Sequence, residues 1–262
     1  MRVGIIGYGY VGKAIAHCYE KDEVVIRDPK LKKSAELSEF NNCDAVFVCV
    51  PSPSQSDGSC DTSILEQTIH ELLFVTVNRQ IPIICKTTAP PSVYQKLLNQ
   101  YPNIVHVPEF LTAANHIQDY INTEYVIIGG NNEWCNKAAE IINYHLGTPD
   151  EIVKIVDIKV AALYKYMMNS YLATKVTFMN EFYKLAQAEG VDWNKIKEAA
   201  SYDDRIGMTH MDVPGSDGNY GWGGACFPKD IAAIINEAKS LGLDFKLLEN
   251  ITNINKEHRN ND

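Results

Sequence analysis

The residues richest in chemistry lie between Gly221 and Asp230, in the run Gly221-Trp222-Gly223-Gly224-Ala225-Cys226-Phe227-Pro228-Lys229-Asp230. A thiol beside a cation and a carboxylate is the usual setting of a nucleophilic cysteine. The glycines give the main chain freedom and let another molecule approach it closely. The plainer reading is a Gly-rich turn opening a helix, with Cys226 as a small buried apolar group, because free cysteines are commonly buried and inert. Pro228 suits the first turn of a helix running from Lys229 to about Ser240. A second chemical pair, Lys165 and Asn169, is spaced four apart and so shares one helical face. Its surroundings (Val160, Leu163, Tyr164, Met167, Met168, Tyr171, Leu172) are apolar on more than one stripe. A buried lysine and amide are costly there unless paired or functional; the plainer reading of Lys165 is a snorkelling surface residue.

The elements that must position these residues begin at the N-terminus. Arg2 to Gly7 reads as a buried strand, Gly7-Tyr8-Gly9-Tyr10-Val11-Gly12 follows it, and a helix carrying Val11, Ile15, Ala16 and Tyr19 comes next. Val24 to Asp28 is a second strand ending in an acid. A GxGxxG between strand and helix, with an acid closing the second strand, is a strong dinucleotide signal. Gly7 serves the tight turn, Gly9 the approach of the pyrophosphate, and Gly12 the packing of helix on strand, with the phosphates at the helix N-terminus. Asp28 at the ribose hydroxyls favours NAD over NADP, a preference that Lys30, Lys32 and Lys33 weaken slightly.

Strands at Ala45–Val50, Ile81–Lys86, Ile104–Val107, Tyr125–Ile128 and Ile152–Val156 alternate with helices, which predicts an α/β fold with a doubly wound parallel Rossmann sheet. Ligands in such sheets sit beyond the carboxyl ends of the strands, where Pro51, Ser52, Thr87, Thr88 and Glu109 fall. The plainer reading of each is a cap or turn residue; their shared edge favours function. From the cap Asp157 a helix of about 30 residues, on the order of 45 Å, runs to about Glu189. It is followed by a shorter helix at Asp192–Ala200 and an amphipathic segment at Leu247–Asn255. The expected division is therefore a Rossmann domain at 1–156 and a helical domain at 157–262 built on the long helix. Two apolar faces on that helix predict burial on both, one of them against a second subunit.

The net charge of −9 argues against nucleic-acid and anionic-membrane partners. Seven scattered cysteines form no CxxC pair, and the apolar opening is too short for a signal or a membrane span, so a reducing, cytoplasmic setting is expected. Seven dispersed histidines show no metal site.

Lined up, these pieces resemble the UDP-glucose/GDP-mannose dehydrogenase family over nearly the whole chain. The resemblance is carried by Gly7 to Gly12, Val50-Pro51-Ser52-Pro53 with Asp57-Gly58-Ser59, and Lys86-Thr87-Thr88. It continues through Pro108-Glu109-Phe110-Leu111, Lys165 to Asn169, Asn180-Glu181, Asp204-Arg205-Ile206-Gly207 and the very specific block Gly223 to Asp230. It implies oxidation of a nucleotide-sugar C6 alcohol to the acid with two NAD⁺ in turn. On this resemblance Cys226 is the nucleophile that holds the aldehyde as a thiohemiacetal and then a thioester. Lys165 and Asn169 stabilise the oxyanion, and Asp230 acts with Lys165 on water and protons. Glu109 is the base for hydrolysis, with Thr88 holding the water. Gly7, Gly9, Tyr10, Val11, Gly12, Asp28, Pro51 and Thr88 are implied for the cofactor, and Phe110, Leu111, Lys165, Asn169 and Gly223 for the substrate. Dimerisation through the long helix is implied as well. The chain departs from the family pattern at Thr112 and Ala113, where a second acid is usual, and in ending where the connection to a third, nucleotide-gripping domain begins. Two other readings stand beside this one: a two-electron β-hydroxyacid dehydrogenase, and a non-catalytic NAD-binding assembly protein.

Overall fold

The computed structural model describes residues 1–75, 80–112, 114–146 and 153–260. Two compact units divide the chain: Met1–Gln55 with Cys60–Lys165, and Ser56–Ser59 with Tyr166–Asp262. The strands of the first are β1 (Arg2–Ile6), β2 (Glu23–Arg27), β3 (Ala45–Val48), β4 (Ile83–Cys85), β5 (Ile104–His106), β6 (Val126–Gly130) and β7 (Val153–Val156). They form one sheet in the order β2-β1-β3-β4-β5-β6-β7. The chain moves to one side of β1 for β2 and to the other for β3, so the topological switch lies at β1.

Period-two alternation in the central strands sends apolar groups to both faces. Val3, Ile5, Ala45 and Phe47 pack with α1 (Tyr10–Cys18), α4 (His116–Ile121) and α5 (Asn132–Leu146) through Ile15, Tyr120 and Trp134. Ile6, Val46 and Val48 pack on the opposite face with α2 (Ser63–Val75) and α3 (Pro91–Gln100) through Leu65, Ile69 and Tyr94. Ile158 and Ala162, at the start of α6 (Ile158–Ala188), close that second cluster. Helices on both faces make the sheet doubly wound, as expected from the alternation of elements.

One pairing departs from a purely parallel sheet. β1, β2, β3, β4 and β5 are mutually parallel, whereas β5 and β6 run antiparallel and β6 pairs parallel with β7. After β5 the chain passes through the six-residue helix α4 and enters β6 from the end at which it left β5, as antiparallel neighbours allow without a crossover, which the simple βα alternation of the sequence does not disclose.

In the second unit α6 continues to Ala188, followed by α7 (Trp193–Ala200), α8 (Phe227–Ser240) and α9 (Lys246–Asn260). Asp192 caps α7 by accepting from the Asn194 amide at 2.9 Å. A small core of Met179, Ala186, Trp193, Met211 and Val213 holds α6 to α7 and the following loop, and Trp193 Nε1 donates to the Met211 carbonyl at 3.0 Å. The long helix begins beside its expected cap, Asp157, which accepts from the Lys159 amide at 2.8 Å. One face of it is buried through Ala161, Tyr166 and Ala173. The other carries Val160, Leu163, Met167, Tyr171, Phe178, Phe182 and Leu185, each about half exposed in the single chain.

Candidate active site

The Gly-rich turn after β1 has geometry made for a ligand at one glycine and for the protein at the other two. Gly7 has φ +94, and a Cβ there would lie 2.5 Å from the Cys49 carbonyl oxygen. A Cβ on Gly12 would overlap the Gly7 carbonyl oxygen. Gly9, exposed at the N-cap of α1, meets nothing within 4 Å of its missing Cβ. No packing inside the chain requires a glycine there, whereas a phosphate resting on the helix N-terminus would. Tyr10 projects beside it, more than half exposed, with its ring 5.2 Å from that of His116. Val11 is partly buried under the turn.

Asp28 follows β2, and its carboxylate is already oriented. Tyr8 N–H donates to Oδ2 at 2.7 Å and Lys30 N–H to Oδ1 at 2.8 Å. Burial pushes this carboxyl up, but the two amides and the Lys30 charge outweigh it and hold the group below its ordinary value. Each oxygen keeps a lone pair for a further donor, as recognition of a ribose diol needs. An open Gly9, a helix N-terminus and an ionised acid one strand over therefore fit a dinucleotide.

At the ends of β3 and β4, Pro51 is exposed and Ser52 buried. Ser52 Oγ donates to the Thr88 carbonyl at 2.6 Å and Thr87 Oγ1 to the Val50 carbonyl at 2.7 Å. These bonds leave Thr88 half-buried at the sheet edge with its own hydroxyl outside this bracing.

Glu109 follows β5 and is gripped at three points. Phe110 N–H donates to Oε1 at 2.8 Å, Lys86 Nζ lies 2.9 Å from Oε2 as an ion pair, and Lys165 Nζ donates to the Glu109 carbonyl. Lys165 is buried and also sits 5.1 Å over the Phe110 ring. Its burial disposes of the snorkelling alternative. Leu111 packs half-buried behind this loop, Thr112 bonds to Asp119 through both its amide and hydroxyl, and Ala113 lies outside the described residues. His106 is fully buried, stacked on Tyr94 and bonded at Nδ1 to the Cys85 carbonyl. Burial drives its pKa down to about 3, so it is neutral and no candidate for proton transfer near neutral pH.

In the second unit Asn169 Nδ2 donates to Asp230 Oδ2 at 2.5 Å, and Lys229 pairs with the other oxygen. Asp230 is buried on the first turn of α8, its amide bonded to the Cys226 carbonyl at 3.0 Å. Cys226 is the N-cap of α8 and is exposed. The other six cysteines are buried or half-buried, and burial raises the Cys49 and Cys135 thiols to about 12. Burial as an inert core group, the plainer expectation for Cys226, is thus not what the fold provides. The loop before it is tied down from α9. Asn255 accepts from Trp222 N–H at 2.7 Å and donates to the Trp222 carbonyl at 2.9 Å. The Arg259 guanidinium fills the space a Cβ on Gly223 would need. Gly224, directly before Ala225 and Cys226, has φ +75 and nothing near its missing Cβ. Lys86, Asn255 and Arg259 went unassigned in the sequence reading. Their roles depend on burial and long-range pairing that spacing does not carry.

Residues 23–146 match the UDP-glucose/GDP-mannose dehydrogenase family, NAD binding domain, and residues 159–257 match its central domain. The chain belongs to this family. A UDP-glucose 6-dehydrogenase of Rickettsia bellii is 32% identical over 98% of this chain and 67% of its own length. A putative UDP-glucose 6-dehydrogenase of Bacillus subtilis is 29% identical over 97% of this chain and 67% of its own. The chain thus spans about two thirds of these relatives. Among solved structures, a UDP-glucose dehydrogenase of Pyrobaculum islandicum superimposes with TM-score 0.80 at 24% identity, over 98% of this chain and 68% of that one. A 3-hydroxyisobutyrate dehydrogenase of Mycobacterium tuberculosis superimposes with TM-score 0.75 at 14% identity, over 98% and 94%. These two likenesses concern the fold. Family membership makes the protein an NAD-dependent dehydrogenase, and the open Gly9 and the oriented Asp28 carboxylate are compatible with such a dinucleotide. Among the described residues no cluster suited to a metal ion occurs, and no helix is long and apolar enough to cross a membrane.

Proposed function

We propose that the chain oxidises the C6 alcohol of a nucleotide sugar of the UDP-glucose type to the uronic acid, with Cys226 as covalent nucleophile. The carrying observation is Cys226 itself, an exposed thiol at the N-terminus of α8, the end of a helix at which negative charge is stabilised. An alcohol-to-aldehyde oxidation needs no nucleophile; a route on to the acid gains from one.

Bound NAD, held by the Gly7–Gly12 turn, Asp28 and the Pro51 and Thr88 edge, supplies the hydride acceptor, two per alcohol converted. Cys226 adds to the aldehyde carbon, a C–S bond forms, and the carbonyl oxygen becomes anionic. The Lys165 ammonium and the Asn169 amide act as donors to that oxygen. Asp230 orients Asn169 through their hydrogen bond. Once the adduct is a thioester, Glu109 takes a proton from water held by Thr88, the water oxygen bonds to the carbonyl carbon, and the C–S bond breaks. Phe110, Leu111 and the Gly223 main chain contact the sugar. The exposed apolar face of α6 is the homodimer interface. The protein works in the cytoplasm, where its thiols stay reduced.

The test is Cys226→Ala with UDP-glucose and NAD⁺. Acid formation falls by at least about a thousandfold, as expected for loss of a nucleophile, while NAD affinity is unchanged. Acid formed at the wild-type rate would rule out covalent catalysis.

A further inference from the structure

The Lys86–Glu109 pair goes beyond these roles. Lys86 leaves β4 and Glu109 leaves the adjacent parallel strand β5, where Cys85 and His106 are register partners. The Lys86 amide bonds back to the Val48 carbonyl at 2.9 Å and the Val107 amide to the Cys85 carbonyl at 2.9 Å, so the sheet fixes Lys86 directly and the start of the segment that carries Glu109. The Lys86 side chain is 6% exposed and that of Glu109 13%. Charges so placed are costly unless paired. Two lysines reach Glu109, with different jobs. Lys165 donates to the main-chain carbonyl, and Lys86 pairs with the carboxylate at Oε2. The Tyr120 ring lies 5.7 Å from the Lys86 ammonium and backs it on another side. The remaining oxygen, Oε1, is aligned by the Phe110 amide.

We infer that Lys86 is a positioning residue for the hydrolytic step: it holds the Glu109 carboxylate in the orientation of a base. This rests on the reading of Glu109 as that base. In the step it serves, water gives one proton to Glu109, its oxygen bonds to the thioester carbon, and Cys226 leaves as thiolate. Lys86 touches none of the reacting atoms. Without its counter-charge the carboxylate loses the orientation the pair gives it, and only the last step suffers.

The experiment compares wild type, Lys86→Met, Lys86→Arg and Glu109→Gln with UDP-glucose and NAD⁺, followed by the rapid NADH burst and by intact mass after acid quench. Lys86→Met is expected to keep the burst, to slow steady turnover by about a hundredfold, and to accumulate the acyl adduct on Cys226 as Glu109→Gln does. Lys86→Arg is expected to restore turnover to within a few fold. An adduct in Glu109→Gln but none in Lys86→Met, with turnover unchanged, overturns the inference and leaves the parent reading intact. No adduct in any variant sinks the parent reading instead. A substrate-free arm then still reads the pair. In urea unfolding, each of Lys86→Met and Glu109→Gln should cost more than the double variant, and additive losses would overturn the inference. If Lys86→Met does not fold, Lys86→Gln carries the same comparison.

Discussion

The carbonyl oxygen of Gly7 occupies the space that a Cβ on Gly12 would need, while Gly9 between them faces open space. Three glycines of one motif therefore answer to two different demands, and substitution separates them. Gly12→Ala is expected to destabilise the fold by about 1–3 kcal/mol through overpacking against fixed backbone, seen as a lower urea midpoint. Gly9→Ala should leave that midpoint nearly unchanged, since its φ of −79 suits any residue, yet weaken NAD by tenfold or more. Equal effects of both on stability would refute the division.

Asp28 links cofactor choice to pH. Its carboxyl lies below the ordinary value in the folded chain because the Tyr8 and Lys30 amides outweigh the opposing effect of burial. A depressed folded value contributes stability above the ordinary carboxylate range, lost as the pH falls below about 4 and through the folded value. Asp28→Asn should therefore lose less stability on acidification than wild type. At neutral pH it should bind NAD about 10- to 100-fold more weakly, the worth of hydrogen bonds to a charged group, and discriminate less against NADP. Calorimetric titration with both dinucleotides reads this, and unchanged affinities would remove Asp28 from the site.

The apolar face of α6 predicts association. Seven large side chains from Val160 to Leu185 are about half exposed along one stripe, and Phe178 and Phe182 already pack as a tilted pair with centroids 4.5 Å apart. An exposed apolar stripe marks an interaction surface, and one carried by a single helix suits a two-fold dimer. Light scattering should give twice the chain mass, and Met167→Asp with Phe178→Asp should give the monomer mass. A monomeric wild type would contradict the assignment.

Much of this was legible in the sequence because the signals are local. The Gly7–Gly12 turn between strand and helix, the acid at Asp28 and the cap at Asp157 all stand where spacing puts them. The reversed entry of β6 was not legible, because apolar strand runs read alike whichever way the strand is entered. Nor were the grips on Glu109 and Asp230, since Lys86 and Lys165 reach Glu109 from other elements. Lys229, next in sequence to Asp230, pairs with it although successive helical side chains do not ordinarily face each other. Burial of Lys165 and exposure of Cys226, the two facts that lift these residues above their plainer readings, are properties of the folded chain alone.

The central claim is that one alcohol is carried through to the acid on Cys226. The most direct measurement is the number of NADH formed per UDP-glucose consumed, taken to completion with excess NAD⁺. A ratio of two, with uronic acid as the product, is the predicted result. A ratio of one, with the aldehyde or its hydrate released, would contradict it.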